Sequence, residues 1–94
     1  MKRVNMQSER LLLCSILSLR NSRECSLFLK DLLTPNEYAM IAQRIQIAHY
    51  LSEGLTYSEI TEKTNASTAT ISRVNKVLEY GKGGLLSVLE NLQV

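Results

Sequence analysis

Residues 56–78 read Thr-Tyr-Ser-Glu-Ile-Thr-Glu-Lys-Thr-Asn-Ala-Ser-Thr-Ala-Thr-Ile-Ser-Arg-Val-Asn-Lys-Val-Leu. Two helix starts lie inside this stretch. Thr56-Tyr57-Ser58-Glu59 has the spacing of a capping box, in which the Thr56 hydroxyl accepts the Glu59 N–H and the Glu59 carboxylate reaches back to the Thr56 N–H. The short helix it opens runs to about Thr64. Asn65 tolerates the left-handed backbone that a very tight reversal needs, and Ala66 is small enough to tuck inward. Ser67 or Thr68 then opens a second helix, running to about Tyr80 and anchored by Ile71, Val74 and Leu78 at i, i+3 and i+7. This is the plan of a helix-turn-helix, with Ile60 as the apolar anchor of the first helix.

The outer face of the second helix is short and polar: Thr68, Ala69, Ser72, Arg73, Asn75 and Lys76. Hydroxyl-bearing residues on an exposed helix lower its propensity, so a surface shaped for stability alone would carry Glu, Lys or Ala. The same face suits a DNA major groove. Thr68, Thr70 and Ser72 can meet base edges, and Ala69 or Thr68 can meet a thymine methyl. Arg73 can grip guanine or a phosphate. Lys76, Lys82, Tyr57 and Ser58 suit phosphates. The competing reading is a helical hairpin used as the scaffold of a dimeric protein-interaction module.

The rest of the chain reads as helix on both sides. Upstream, Thr34-Pro35-Asn36-Glu37 is a second capping box with proline at the first helical position. The helix it starts runs to about Glu53, and Gly54 supplies its left-handed end. A first helix is expected from about Met6 to Leu19 and a second from the Asn21-Ser22 break to about Leu33, with Cys25, Phe28, Leu29 and Leu32 at helical spacing. Downstream of the break at Gly81, Gly83 and Gly84, Leu85, Leu86, Val88, Leu89 and Leu92 make a last short helix. No period-2 alternation marks a strand. The expectation is therefore an all-α, six-helix single domain over 1–94.

The apolar faces are wide for a chain of 94 residues. The first helix is apolar nearly all round (Leu11, Leu12, Leu13, Ile16, Leu17, Leu19). The third carries one stripe of Tyr38, Ile41, Ala42, Ile45 and Ala48 and another of Met40, Ile47 and Leu51. A surface helix needs only one stripe, and a short chain has limited core of its own. An intertwined homodimer is expected, with dimerisation helices over 5–55, the helix-turn-helix over 56–80, and a C-terminal dimerisation helix over 84–94.

Composition narrows the function classes. Hydrophobic residues make up 45% and charged residues 21%, as in a folded domain, and the net charge is only +2. Residues 1–23 carry five cations against Glu9, while 24–55 are net acidic and 56–94 balanced. That is not the profile of a non-specific nucleic-acid coat, so DNA binding would rest on a few placed cations. Lys2 and Arg3 could form an arm that touches DNA, although a solvated terminus is the default. No apolar run approaches the ~18 residues that cross a bilayer, and secretion is not expected, because Lys2 and Arg3 are followed by no clean apolar stretch with a small-residue cleavage site. Cys14 and Cys25 read as reduced, buried thiols of a cytoplasmic protein.

An enzyme is not expected. His49, the single histidine, has no paired nucleophile in sequence and reads as a partly exposed structural residue. The Gly81-Lys82-Gly83-Gly84 stretch lacks phosphate-loop spacing. Two Cys and one His fall short of a closed zinc site.

Several separate motifs in order resemble the tryptophan-repressor family, and its YerC/YecD branch in particular. They are Leu33-Thr34-Pro35-Asn36-Glu37, Ala42-Gln43-Arg44-Ile45, Gly54-Leu55-Thr56-Tyr57, Ala66-Ser67-Thr68-Ala69-Thr70-Ile71-Ser72-Arg73-Val74 and Tyr80-Gly81. The resemblance implies an all-helical intertwined dimer on a palindromic operator in double-stranded DNA, acting as a transcriptional repressor. It also implies an effector pocket. Arg44 and Arg73 match the arginines that hold the carboxylate and flank the indole of tryptophan, and Thr34 matches a residue near the amino group. Val74 stands where the family has glycine and Val77 where it has serine. The expectation is poor tryptophan binding, with either another ligand or no co-repressor. Arg44 also has a plain structural reading, as a partner of a nearby carboxylate.

Overall fold

The computed structural model describes residues 3–92. Six helices follow in order: α1 (Met6–Leu17), α2 (Ser22–Leu32), α3 (Pro35–Ser52), α4 (Tyr57–Thr64), α5 (Thr68–Tyr80) and α6 (Gly84–Asn91). The described residues contain no strand. None of their helices is long and apolar enough to cross a membrane. The chain divides into two compact units, residues 1–38 and 39–94, with the division inside α3.

In the first unit the helix ends follow the polar residues. The Asn5 side chain accepts from the N–H groups of Gln7 and Ser8 to cap α1. That helix stops at Leu17, two residues before the expected end. Its serines explain the difference: the Ser15 hydroxyl donates to the Leu11 carbonyl at 2.7 Å and the Ser18 hydroxyl to the Ser15 carbonyl at 2.6 Å. Such bonds compete with the backbone ladder and loosen a helix end. Asn21 caps α2 by accepting the Glu24 N–H at 2.9 Å. The Glu24 carboxylate accepts from the Arg20 side chain and from the Arg20 N–H, which holds its pKa below the ordinary value. The expected Thr34–Glu37 box is present, with Glu37 N–H to Thr34 Oγ1 at 3.1 Å and Thr34 N–H to Glu37 Oε1 at 2.9 Å.

Neither α1 nor α2 has a buried side chain. Leu11, Leu12, Leu13, Ile16 and Leu17 are all exposed. This corrects the reading of the cysteines as core residues. Cys14 is exposed, because α1 carries apolar side chains around most of its circumference and leaves them uncovered within this chain, and Cys25 of α2 is half-buried. Lys2 lies outside the described residues, and Arg3 is exposed.

The second unit holds the core. Ile47 and Ala48 of α3, Ile60 of α4, Ala66 of the turn, Ile71 and Val74 of α5 and Leu89 of α6 are buried together. Tyr50, Leu51, Leu55, Tyr57, Leu78 and Leu85 pack around them. Each helix contributes one side of its circumference, so this core fixes which face α5 turns outward. Gly54 takes the expected positive φ of 85° after α3.

Candidate nucleic-acid interface

The candidate interface is built by the α4–turn–α5 segment. The capping box that opens α4 closes in both directions: Glu59 N–H donates to Thr56 Oγ1 at 3.2 Å, and Thr56 N–H to Glu59 Oε1 at 2.9 Å. The Thr56 backbone N–H, then its hydroxyl, holds the Glu59 carboxyl below its ordinary pKa. At the other end Asn65 adopts φ 62°, ψ 17°, the left-handed conformation expected of it. Its N–H closes on the Thr61 carbonyl at 2.8 Å. Thr64 fastens the turn twice, donating its hydroxyl to the Ile60 carbonyl at 2.7 Å and accepting the Ala66 N–H at 3.2 Å. Gln43 of α3 adds an outside tie, its Nε2 donating to the Thr64 carbonyl at 3.2 Å.

Ser67 is the cap of α5, accepting the Thr70 N–H at 3.2 Å. With Ile71 and Val74 buried, α5 exposes Thr68, Ala69, Arg73 and Lys76. Ser72 is half-buried, and so is Asn75, whose amide donates to Glu79 Oε1 at 3.1 Å. Thr70 is half-buried too, with its hydroxyl 3.0 Å from Ser67 Oγ. At the start of α4, Ser58 is exposed and Tyr57 packs on the core. Lys82 is exposed in the segment between α5 and α6. Four small or cationic side chains thus stand clear on one helix, while two of the three hydroxyl groups expected to meet bases are partly sheltered. The Ser67–Thr70 pairing is a feature that the structure adds to the sequence reading. Its signal is the i, i+3 hydroxyl spacing that also marks a cap.

Four of the five candidate effector residues line one cavity. Arg44, Arg73, Val74 and Val77, joined by Leu85 of α6, line a partly open cavity of about 260 Å³. No carboxylate lines it, and neither guanidinium has an ion-pair partner among the described residues. The alternative role for Arg44, pairing with a nearby carboxylate, therefore finds no partner among them. The cavity offers positive charge at its arginines and aliphatic walls elsewhere. The place of Leu85 in a short C-terminal helix does not disclose in the sequence which helix it meets. Thr34, the fifth candidate, belongs to the first unit, where it caps α3.

His49 sits on α3 with Nε2 3.2 Å from Glu53 Oε1, one turn on. Among the described residues no three His, Cys, Asp or Glu side chains gather as a metal site.

These features define an all-α fold, with six helices among the described residues, whose α5 carries an exposed polar and cationic face. Residues 7–93 match the family described as Trp repressor protein, and the chain belongs to that family. Within it the chain falls in the YerC branch: it is 47% identical over 79 residues to the uncharacterized protein YerC of Bacillus subtilis (strain 168), covering 84% of this chain and 76% of YerC. Among solved structures it is similar to a TrpR-like protein from Eubacterium eligens ATCC 27750. That pair has a TM-score of 0.87 and 43% identity, with 96% of each chain covered. It is also similar to a proposed Trp repressor from Staphylococcus aureus, with a TM-score of 0.86 and 38% identity over 92% of this chain and 86% of that one.

Proposed function

We propose that this chain is a sequence-specific DNA-binding regulator of transcription, acting in the cytoplasm as a repressor. In this reading α4 and α5 form a helix-turn-helix, and α5 enters the major groove. One observation carries it: burial of Ile71 and Val74 turns Thr68, Ala69, Arg73 and Lys76 outward together. Thr68 and Ala69 lie at the N-terminal end, where short side chains permit close approach, and Arg73 lies one turn beyond Ala69. That order suits base contacts near the start of the helix and phosphate contacts further on. Family membership supports the same function.

The regulator works as a homodimer. The support is apolar surface left exposed in a single chain: Leu11, Leu13 and Leu17 on α1, Ile41 and Ile45 on α3, and Leu86 and Val88 on α6. A second copy covers such surface by closed two-fold symmetry and sets two α5 helices on one duplex.

The Arg44–Arg73 cavity is not a tryptophan site in this reading. Val74 and Val77 put branched methyl groups on its wall, where the family's tryptophan pocket has glycine and serine. The protein reads DNA either unaided or with another ligand. The test of the function is an electrophoretic shift with genomic fragments. Salt-sensitive, sequence-selective binding supports it, and uniform or absent binding favours the interaction module.

A further inference from the structure

Three of the four tyrosines are accounted for within the chain. Tyr38 lies under the Lys30 ammonium, 5.7 Å from ring centroid to nitrogen. The Tyr50 hydroxyl accepts from Gln46 Nε2 at 3.4 Å. Tyr57 packs on the core. Tyr80 differs. It is 81% exposed, and its hydroxyl and ring have no partner among the described residues.

Its position on α5 is specific. Counting back from Tyr80, Lys76, Arg73 and Ala69 fall at i−4, i−7 and i−11, a single stripe along a 3.6-residue helix. All four are exposed, and the stripe runs opposite the buried Ile71 and Val74. The chain then leaves the helix at once. Gly81 has ψ −163° and its N–H bonds to the Val77 carbonyl. A Cβ at Gly81 would overlap that same carbonyl oxygen. The departing backbone therefore occupies space that only glycine leaves open.

We infer that Tyr80 is a further DNA-contacting residue, donating its hydroxyl to a phosphate at the far edge of the groove that α5 reads. The inference rests on the DNA-binding reading above. Tyr80 lies eleven residues beyond Ala69, roughly 16 Å along the axis at the α-helical rise. That exceeds both the width of the major groove, about 12 Å, and its depth, about 8.5 Å. With Ala69 at the base edges and α5 crossing the groove obliquely, Tyr80 meets the sugar–phosphate wall and carries no base specificity. A tyrosine hydroxyl is a recurrent phosphate donor.

The contact is uncharged, which separates it from its neighbours. A neutral donor displaces no condensed counterion, so its loss lowers affinity and leaves the salt slope unchanged, whereas the loss of a lysine flattens the slope. The test uses the full chain and a duplex that the wild-type protein selects from random DNA. Wild type, Tyr80→Phe, Tyr80→Ala and Lys76→Ala are titrated across a salt series, with sedimentation to follow assembly. The expected result is a loss of about 2- to 10-fold in both Tyr80 variants. That loss should be equal on the selected and unrelated duplexes, with slope and assembly state unchanged, while Lys76→Ala flattens the slope. Unchanged affinity in Tyr80→Phe, beside a flattened slope in Lys76→Ala, overturns the inference and leaves the DNA-binding reading standing. Loss of assembly in Tyr80→Ala also overturns it, since Tyr80 would then hold protein. If wild type selects no duplex, the DNA-binding reading fails and the inference with it.

Discussion

Gln43 of α3 donates its side-chain N–H to the main-chain carbonyl of Thr64, the last residue of α4, at 3.2 Å. A helix end leaves carbonyl groups without intrahelical partners, and this bond supplies one from outside the α4–α5 segment. Thr64 is half-buried, so the bond is worth more than one on the open surface. Gln43→Ala should cost about 1 kcal/mol of stability, measured by urea unfolding. Hydrogen exchange should rise at the amides of residues 65–67 before it rises in α5.

The capping boxes give the protein an acid limb. Backbone N–H groups, and then the hydroxyls, of Thr34 and Thr56 lower the pKa of Glu37 and Glu59 from their ordinary 4.5. A lowered native pKa means that the unfolded chain binds the proton more readily. The stabilisation is complete above the ordinary value and is lost as pH falls through the lowered ones. Unfolding titrations between neutral pH and about pH 3 should show this decline, and Glu59→Gln should remove part of it. Thr56→Ala, which takes away the acceptor of the same box, should cost about 1 kcal/mol at neutral pH.

Ile71 is completely buried on the inner side of α5, within the cluster that includes Ile47 and Ile60. Ile71→Ala should cost about 2–5 kcal/mol through lost burial and a residual cavity. Ile71→Asp would place an unpaired carboxylate there and should unfold the unit. Circular dichroism distinguishes the two outcomes.

On the outer side of the same helix, truncation should spare the fold and change DNA binding. Arg73→Ala and Thr68→Ala should each weaken binding to the preferred duplex by about 1–3 kcal/mol and relax specificity at one position, if their contacts are to base edges. Lys76→Ala should weaken all sequences about equally and reduce the salt slope by about 1. Unchanged affinity in both Arg73→Ala and Thr68→Ala would remove α5 from the groove.

Calorimetric titration of the wild-type chain with tryptophan should show no micromolar binding. Exchanging Val74 for glycine and Val77 for serine removes the branched methyl groups from the wall of the Arg44–Arg73 cavity. If those methyl groups are what exclude the indole, the double variant should gain affinity for tryptophan.

The parts of this structure that were legible in the sequence are those governed by local chemistry. Both capping boxes, the left-handed Asn65 and the buried Ile60, Ala66 and Ile71 follow from spacing and side-chain type within one or two turns. What was not legible depends on neighbours that sequence does not order. Cys14 reads as a core residue because leucines surround it, yet α1 leaves that surface uncovered in the single chain. The hydroxyl of Thr70 reads as a free contact, and only the placement of Ser67 shows it drawn into the cap. Leu85 joins the cavity, and Tyr80 stands apart from the other three tyrosines, through packing that periodicity alone does not assign.

The central claim is that two copies of this chain present twin α5 helices to one duplex. Repeated selection from random double-stranded DNA, followed by sequencing, tests it most directly. The account predicts enrichment of a two-fold symmetric site whose half-sites lie about one helical turn, ~34–36 Å, apart. Enrichment of no sequence, or of a single site without a dyad, would contradict it.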